Sequence, residues 1–173
     1  MADPDVKRRI RIETGDITLL RVDTIVNAAN ASLLGGGGVD GAIHRAAGPE
    51  LLAESRKLGG CPPGEARLTR GYRLAANHVI HTVGPIWQGG TAGEDRILAA
   101  CYRSSLAIAR AQRFRDIGFP AIATGIYGYP RDAAARLAVA AVSSHLAEQP
   151  WPERVAFVCF DEATRNAYRE ALG

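Results

Sequence analysis

The run Leu33-Leu34-Gly35-Gly36-Gly37-Gly38-Val39-Asp40-Gly41-Ala42-Ile43-His44 decides how this chain is read. Four consecutive glycines leave the backbone without side-chain cover, and a helix expected over Ala42–Leu58 follows them. Bare N–H groups leading into the positive end of a helix dipole suit a phosphate or a pyrophosphate. Gly36-x-Gly38-x-x-Gly41 also satisfies the dinucleotide fingerprint. However, about seven residues separate it from the preceding strand, where that fingerprint needs an immediate turn. No Gly-Lys-Ser/Thr follows, which excludes a P-loop. The alternative is a plain surface loop, disfavoured by the entropy that glycines lose on ordering.

A second glycine knot, Ala123-Thr124-Gly125-Ile126-Tyr127-Gly128-Tyr129-Pro130, also lies between an expected strand and an expected helix. In a sheet covered by helices, loops leaving the carboxyl ends of the strands gather at one edge and form the ligand crevice. Two such loops could grip two phosphates. Neither contains Lys or Arg, so the expected donors are backbone N–H groups. Taken alone, a turn before Pro130 reads equally well.

Outward from these loops the periodicities alternate. Strands are expected at Arg9–Glu13, Thr24–Asn27, Glu65–Leu74, His78–Val83, Asp116–Ala123 and Arg154–Phe160. Helices are expected at Ala42–Leu58, Glu94–Phe114, Asp132–Glu148 and Asp161–Leu172. Interleaved strands and helices imply an α/β fold around a mostly parallel sheet, and the adjacent strands at 65–83 add an antiparallel pair, making it mixed. No linker, repeat or second composition regime divides residues 1–173, so one domain is expected, with residues 1–8 as a short N-terminal arm.

Composition narrows the function classes. The 173 residues are 47% hydrophobic and 23% charged, which describes a globular core rather than a disordered chain. Glycine contributes 19 residues against an average of ~7% of a chain, and the excess sits in the two knots. Twenty-one Lys+Arg against 18 Asp+Glu leave a net charge of +3, too small to indicate nucleic acid. The one basic run, Lys7-Arg8-Arg9, reads as a solvated arm. Thr24–Val39 lacks charge but carries too many polar and glycine residues to span a bilayer. No apolar stretch follows the basic residues near the start, so the expectation is a cytoplasmic protein without a membrane partner. Cys61, Cys101 and Cys159 are too few and too scattered for a disulfide framework, and are expected reduced.

Individual polar residues stay ambiguous at this level. Asp40 could cap its helix or act in a site. Asp16, in Gly15-Asp16-Ile17-Thr18, could make an Asx turn. Asn27 and Asn30 end a strand, with Asn30 next to the glycine run. Phe160 could stack on a base or fill the core. No metal is expected: His78 and His81 point to opposite faces of their strand, and His44 and His145 stand alone. No Gly-x-Ser-x-Gly elbow occurs, and no cysteine has a partner base.

Gly15-Asp16-Ile17-Thr18, Val26-Asn27-Ala28-Ala29-Asn30, Gly35 through Gly48, Tyr72 through Pro85 and Phe119 through Pro130 together resemble the macrodomain family. The likeness is to its MacroD-type branch of bacterial O-acetyl-ADP-ribose deacetylases and runs from about residue 8 to the end. It implies a three-layer αβα fold with ADP-ribose in a cleft at one sheet edge. Asp16 then matches the adenine reader, with the Ile17 N–H beside it, and Phe160 the residue packed on adenine. Ala28, Gly36, Gly37, Gly38, Val39, Ala123, Thr124, Gly125, Ile126 and Tyr127 match the walls around the diphosphate and distal ribose. Asn30 and Asp40 match the polar pair where the branch does its chemistry.

Two departures accompany the likeness. Ala123 stands where the family usually has Ser, and the segment Ser55–Cys61 is shorter than in relatives, with Pro63 in place of Thr. The latter is expected to affect only the fold. The implied activity is metal- and cofactor-free hydrolysis of an ester at the distal ribose, on O-acetyl-ADP-ribose or on mono-ADP-ribosylated proteins. A carboxylate is a weak base at neutral pH, so Asp40 and the substrate's own phosphate are expected to hold the attacking water together. A non-catalytic ADP-ribose reader is the alternative. A phosphatase would need cationic help that the two glycine loops do not supply.

Overall fold

The computed structural model describes residues 2–173. Its strands are β1 Ile10–Thr14, β2 Thr24–Ala29, β3 Ala66–Arg70, β4 His78–Val83, β5 Asp116–Phe119 and β6 Arg154–Cys159. Its helices are α1 Pro4–Lys7, α2 Gly38–Ala47, α3 Pro49–Arg56, α4 Glu94–Ala111, α5 Arg131–Glu148 and α6 Glu162–Leu172. The strands form one sheet in the order β1-β6-β5-β2-β4-β3, parallel except for the β3–β4 pair. That is the mixed, mostly parallel sheet of an αβα sandwich.

Alternation along the central strands builds the two cores. Val26, Ile80, Ile117, Phe119, Val155 and Phe157 face one way and pack with buried residues of α4, α5 and α6. Ile25, Val79, Ala156 and Val158 face the other way, under Ile43 and Ala47 of α2 and Leu51 of α3. A period of two places successive side chains in different layers, so strands buried on both faces read as continuous apolar runs.

Several boundaries differ from the sequence expectation: β3 ends at Arg70 rather than Leu74, α4 at Ala111 rather than Phe114, and β2 runs on to Ala29. The helix expected over Ala42–Leu58 is two helices, because Gly48 adopts φ 89° and Pro49 opens a new N-terminus. The strand expected to reach Ala123 stops at Phe119, since Pro120 has no N–H for a ladder. Of the arm expected over 1–8, Met1 lies outside the described residues, while Pro4–Lys7 forms α1 with Val6 buried. The basic run is not simply solvated either. Arg9 donates to the carbonyls of Leu146, Gln149, Pro152 and Glu153 at 2.7–3.1 Å, tying the start of β1 to the turn before β6.

The sheet also opens. β2 pairs with β4 over six residues, but with β5 only at Thr24–Ile117 and Ile25–Gly118. Beyond that point the two chains no longer share a ladder, and both line one cleft. Among the described residues no helix is long and apolar enough to cross a membrane. All three cysteines are free and buried.

Candidate functional site

The cleft has a volume of about 1010 Å³ and lies at the carboxyl ends of β1, β2, β5 and β6. All fifteen residues singled out from the sequence line it: Asp16, Ile17, Ala28, Asn30, Gly36, Gly37, Gly38, Val39, Asp40, Ala123, Thr124, Gly125, Ile126, Tyr127 and Phe160. The turn after β1 supplies Asp16 and Ile17, and the turn after β6 supplies Phe160.

The glycine run enters α2 through Gly37, which caps the helix without any side-chain hydrogen bond. The first N–H groups of a helix have no intrahelical acceptor, so this end offers donors to a ligand. Its close approach depends on Gly41, where a β-carbon would lie 2.5 Å from the Gly36 carbonyl oxygen.

Asp40 is the third residue of α2, not its cap. Its carboxylate is buried and accepts a 2.8 Å hydrogen bond from Asn27 Nδ2. His44 Nε2, one turn later, lies 3.4 Å from the same oxygen. Asn30 donates from Nδ2 to the Gly35 carbonyl at 2.9 Å and accepts from the Ser32 N–H and hydroxyl, which holds the loop's entry. At Gly36 the two side chains converge: a β-carbon there would sit 3.1 Å from Asp40 Oδ2 and 3.3 Å from Asn30 Nδ2.

Asp16 makes the Asx turn that is one of its two readings. Its Oδ1 accepts from the N–H and hydroxyl of Thr18, capping a 3-10 turn over Ile17–Leu19. Its Oδ2 has no intramolecular partner among the described residues. Phe160 is 92% exposed and Ile126 fully exposed, so neither belongs to the core.

The second loop is a tight turn fastened from behind. Gly128 N–H donates to Gly125, Tyr129 N–H to Ala123 and Trp87 N–H to Tyr127, all at 2.8–3.0 Å. Ala123 is buried at φ 67°, a left-handed conformation for a residue with a β-carbon. Behind it, the Trp87 and Tyr129 rings pack at 4.8 Å, and the Tyr129 hydroxyl donates to Asp95. Glu94, 1% exposed, accepts from the N–H groups of Gln88, Gly90 and Ala92. These three bonds, led by Gln88, hold its carboxyl down at about 2.

Several lining residues were not anticipated. Arg45 shares the cleft with Gly38 and Ala42, at helical spacings of four and seven that place them on one face of α2. Arg131, the first residue of α5, lines it beside Asp161 and Thr164. The Thr164 N–H holds the Asp161 carboxyl below its ordinary range, and Arg131 adds to this. The loops themselves carry no cation, but the helices flanking them bring two. His44, expected to stand alone, instead faces Asp40. Asn27, by contrast, is buried behind the cleft wall. None of Ser55–Pro63 lines the cleft, yet Cys61 N–H donates to the Ala31 carbonyl, adjacent to Asn30. Among the described residues no group of three His, Cys, Asp or Glu side chains could hold a metal ion.

The Macro domain family profile matches residues 26–138. A Macro domain-containing protein of Mesorhizobium japonicum is 60% identical over 164 residues, covering 95% of this chain and 93% of that one. An O-acetyl-ADP-ribose deacetylase of Cronobacter sakazakii is 54% identical over 169 residues, covering 95% and 94%. The crystal structure of the Trypanosoma brucei macrodomain in complex with ADP-ribose superposes with a TM-score of 0.93 at 44% identity, over 99% of this chain and 73% of that one. A αβα sheet opened between β2 and β5, with a glycine run at the cleft and relatives of this similarity along nearly its full length, makes the chain a member of the macrodomain family.

Proposed function

We propose that this protein is a hydrolase that binds ADP-ribose and cleaves an ester at its distal ribose. O-acetyl-ADP-ribose is the small-molecule substrate, and mono-ADP-ribose esterified to protein Asp or Glu is the second substrate class. The observation that carries the proposal is the meeting of Asp40 Oδ2 and Asn30 Nδ2 around Gly36 on the cleft wall. It puts a carboxylate and an amide beside the helix end suited to a diphosphate.

In this reading Asp16 accepts from the exocyclic amine of adenine, the Ile17 N–H lies beside it, and Phe160 covers the ring. The N–H groups of Gly36–Val39 and of Thr124–Tyr127 hold the diphosphate, with Ala28 and Ala123 forming wall. Arg45 and Arg131 add positive charge at the margin. Asn30 fixes the distal ribose. Asp40 and the bound phosphate hold a water that adds to the ester carbonyl; the tetrahedral adduct collapses by breaking the acyl–oxygen bond, one proton of the water passing to the departing ribose oxygen and the other to solvent, giving acetate and ADP-ribose. The chain needs no metal for this, and its three free thiols suit a reducing cytoplasm. It acts as a single macrodomain over residues 1–173.

Mass spectrometry of O-acetyl-ADP-ribose and of a mono-ADP-ribosylated protein, each incubated with pure protein in ¹⁸O water, tests the proposal. Free ADP-ribose and labelled acetate are expected from the first. Tight ADP-ribose binding without product from either would make the protein a reader.

A further inference from the structure

Behind Asp40 lies a line of buried polar side chains that a hydrophobic layer does not need. Asn27 of β2 stands directly opposite His81 of β4 in the parallel ladder, and Thr69 of β3 is the diagonal neighbour of His81 on the same face. Thr69, His81 and Asn27 are all buried to within 2%. The distances run from Thr69 Oγ1 to His81 Nε2 at 2.9 Å, from His81 Nδ1 to Asn27 Nδ2 at 3.1 Å, and from Asn27 Nδ2 to Asp40 Oδ1 at 2.8 Å.

Donor and acceptor chemistry sets the direction of each bond. An amide oxygen placed 2.8 Å from a carboxylate oxygen would be two acceptors in contact, so Asn27 turns its nitrogen to Asp40. That nitrogen has two protons, and its second points at His81 Nδ1. His81 Nδ1 must then offer a lone pair, which puts the ring proton on Nε2. Nε2–H donates to Thr69 Oγ1, and the Thr69 hydroxyl passes its own proton to the Arg70 carbonyl at 3.1 Å. The chain ends on backbone, with no ambiguity left in it. Its one loose atom is Asn27 Oδ1, buried without a partner, so nothing on the oxygen side holds the amide in place. His44 also faces this line, 3.4 Å from Asp40 and 6.5 Å ring to ring from His81, and Arg67 is the register partner of His81 on β3.

We propose that His81, locked as its Nε2–H tautomer by Thr69, is a positioning residue that fixes the Asn27 amide and through it the Asp40 carboxylate. With the proton on Nδ1 instead, His81 would drive the amide to turn its oxygen toward the ring or to break away. Either response costs Asp40 its donor. This inference rests on reading Asp40 as the carboxylate that holds the attacking water.

The test uses T69V and T69S in the full chain, because replacing the buried His81 itself endangers folding. Long-range ¹⁵N–¹H correlation spectra of the His81 ring should show the Nε2–H tautomer in the wild type and in T69S, and a shift toward Nδ1–H in T69V. Turnover of O-acetyl-ADP-ribose by the folded T69V protein should fall about tenfold, the loss of one hydrogen bond's worth of positioning, with KM and ADP-ribose affinity within about twofold. T69S should restore the rate. An Nδ1–H tautomer in the wild type, a T69V protein that keeps Nε2–H, or a switched tautomer with unchanged turnover would each overturn the proposal. D40A measured alongside separates the two readings. Wild-type turnover by D40A removes the role given to Asp40, whereas slow D40A with normal T69V removes only the role given to His81.

Discussion

The β-carbon that Gly41 lacks would lie 2.5 Å from the carbonyl oxygen of Gly36, so the first turn of α2 and the glycine run rest backbone against backbone. A methyl group cannot be absorbed there by a rotamer change, and the run must move into the cleft. Gly41→Ala should weaken ADP-ribose binding by more than about tenfold and cost about 1–3 kcal/mol of stability, as overpacking does. Gly37, with φ −92° and open space around its α-carbon, is the control: Gly37→Ala should keep its melting temperature within about 2 °C. Calorimetry and thermal melts on the pair check both.

Asp16 serves its own turn with one oxygen and leaves the other unpartnered, so the two roles separate by substitution. Asp16→Asn keeps a capping acceptor and loses the charge. It should melt near the wild type while binding ADP-ribose about ten- to hundredfold more weakly, the worth of a charge-assisted hydrogen bond. Unchanged affinity in calorimetry would reduce Asp16 to a turn residue.

Phe160 is 92% exposed, which makes its substitution clean. Phe160→Ala should leave the melting temperature unchanged and weaken ADP-ribose binding about five- to hundredfold, the range for losing one base–aromatic stack. Affinity for ribose 5-phosphate, which has no base, should not change. Equal losses for both ligands would contradict a place on the adenine.

Asp40→Ala should lower turnover about 10²–10⁴-fold while ADP-ribose binds within about tenfold. Asn30→Ala should slow turnover less. Asp40 is not the cap of α2, so loss of helix capping cannot account for a slow variant. Single-turnover rates, binding and melting temperature on the same protein distinguish a chemical defect from an unfolded fraction.

Acid stability should show two contributions. Burial, aided by His44, holds His81 down at about 3 from an ordinary 6.5, so the unfolded chain takes up that proton first. The resulting stability is full above 6.5 and declines as pH falls toward 3. Glu94, held at about 2 from an ordinary 4.5, contributes stability above 4.5 that is lost as pH falls to 2. Melting temperatures of wild type and Glu94→Gln should therefore differ most above pH 4.5 and converge near pH 2. The decline that begins at pH 6.5 should persist in Glu94→Gln.

The cleft was legible in the sequence because its loops interrupt a strand–helix alternation. That order alone sends Gly36–Asp40, Ala123–Tyr127 and Phe160 to one edge of a parallel sheet. Boundaries were less legible where a local breaker competes with a longer apolar pattern, as at Gly48-Pro49 and Pro120. Arg45 could have been found by stepping seven residues from Gly38 along one helical face. The line from Thr69 to Asn27 could not, because a period of two assigns a face but not a neighbour across three strands. Arg9 shows the same limit: a basic run says nothing of the four carbonyls waiting 137 to 144 residues away.

The glycine run has an evolutionary corollary. Donors that belong to the main chain are encoded by no particular side chain, so most single-base changes around the cleft cannot delete them. Drift would be felt first at exposed rim positions such as Ile126 and Phe160, where a replacement changes the mouth of the cleft and leaves the backbone beneath it in place. Paralogues can thus change clientele at the rim while inheriting the same grip.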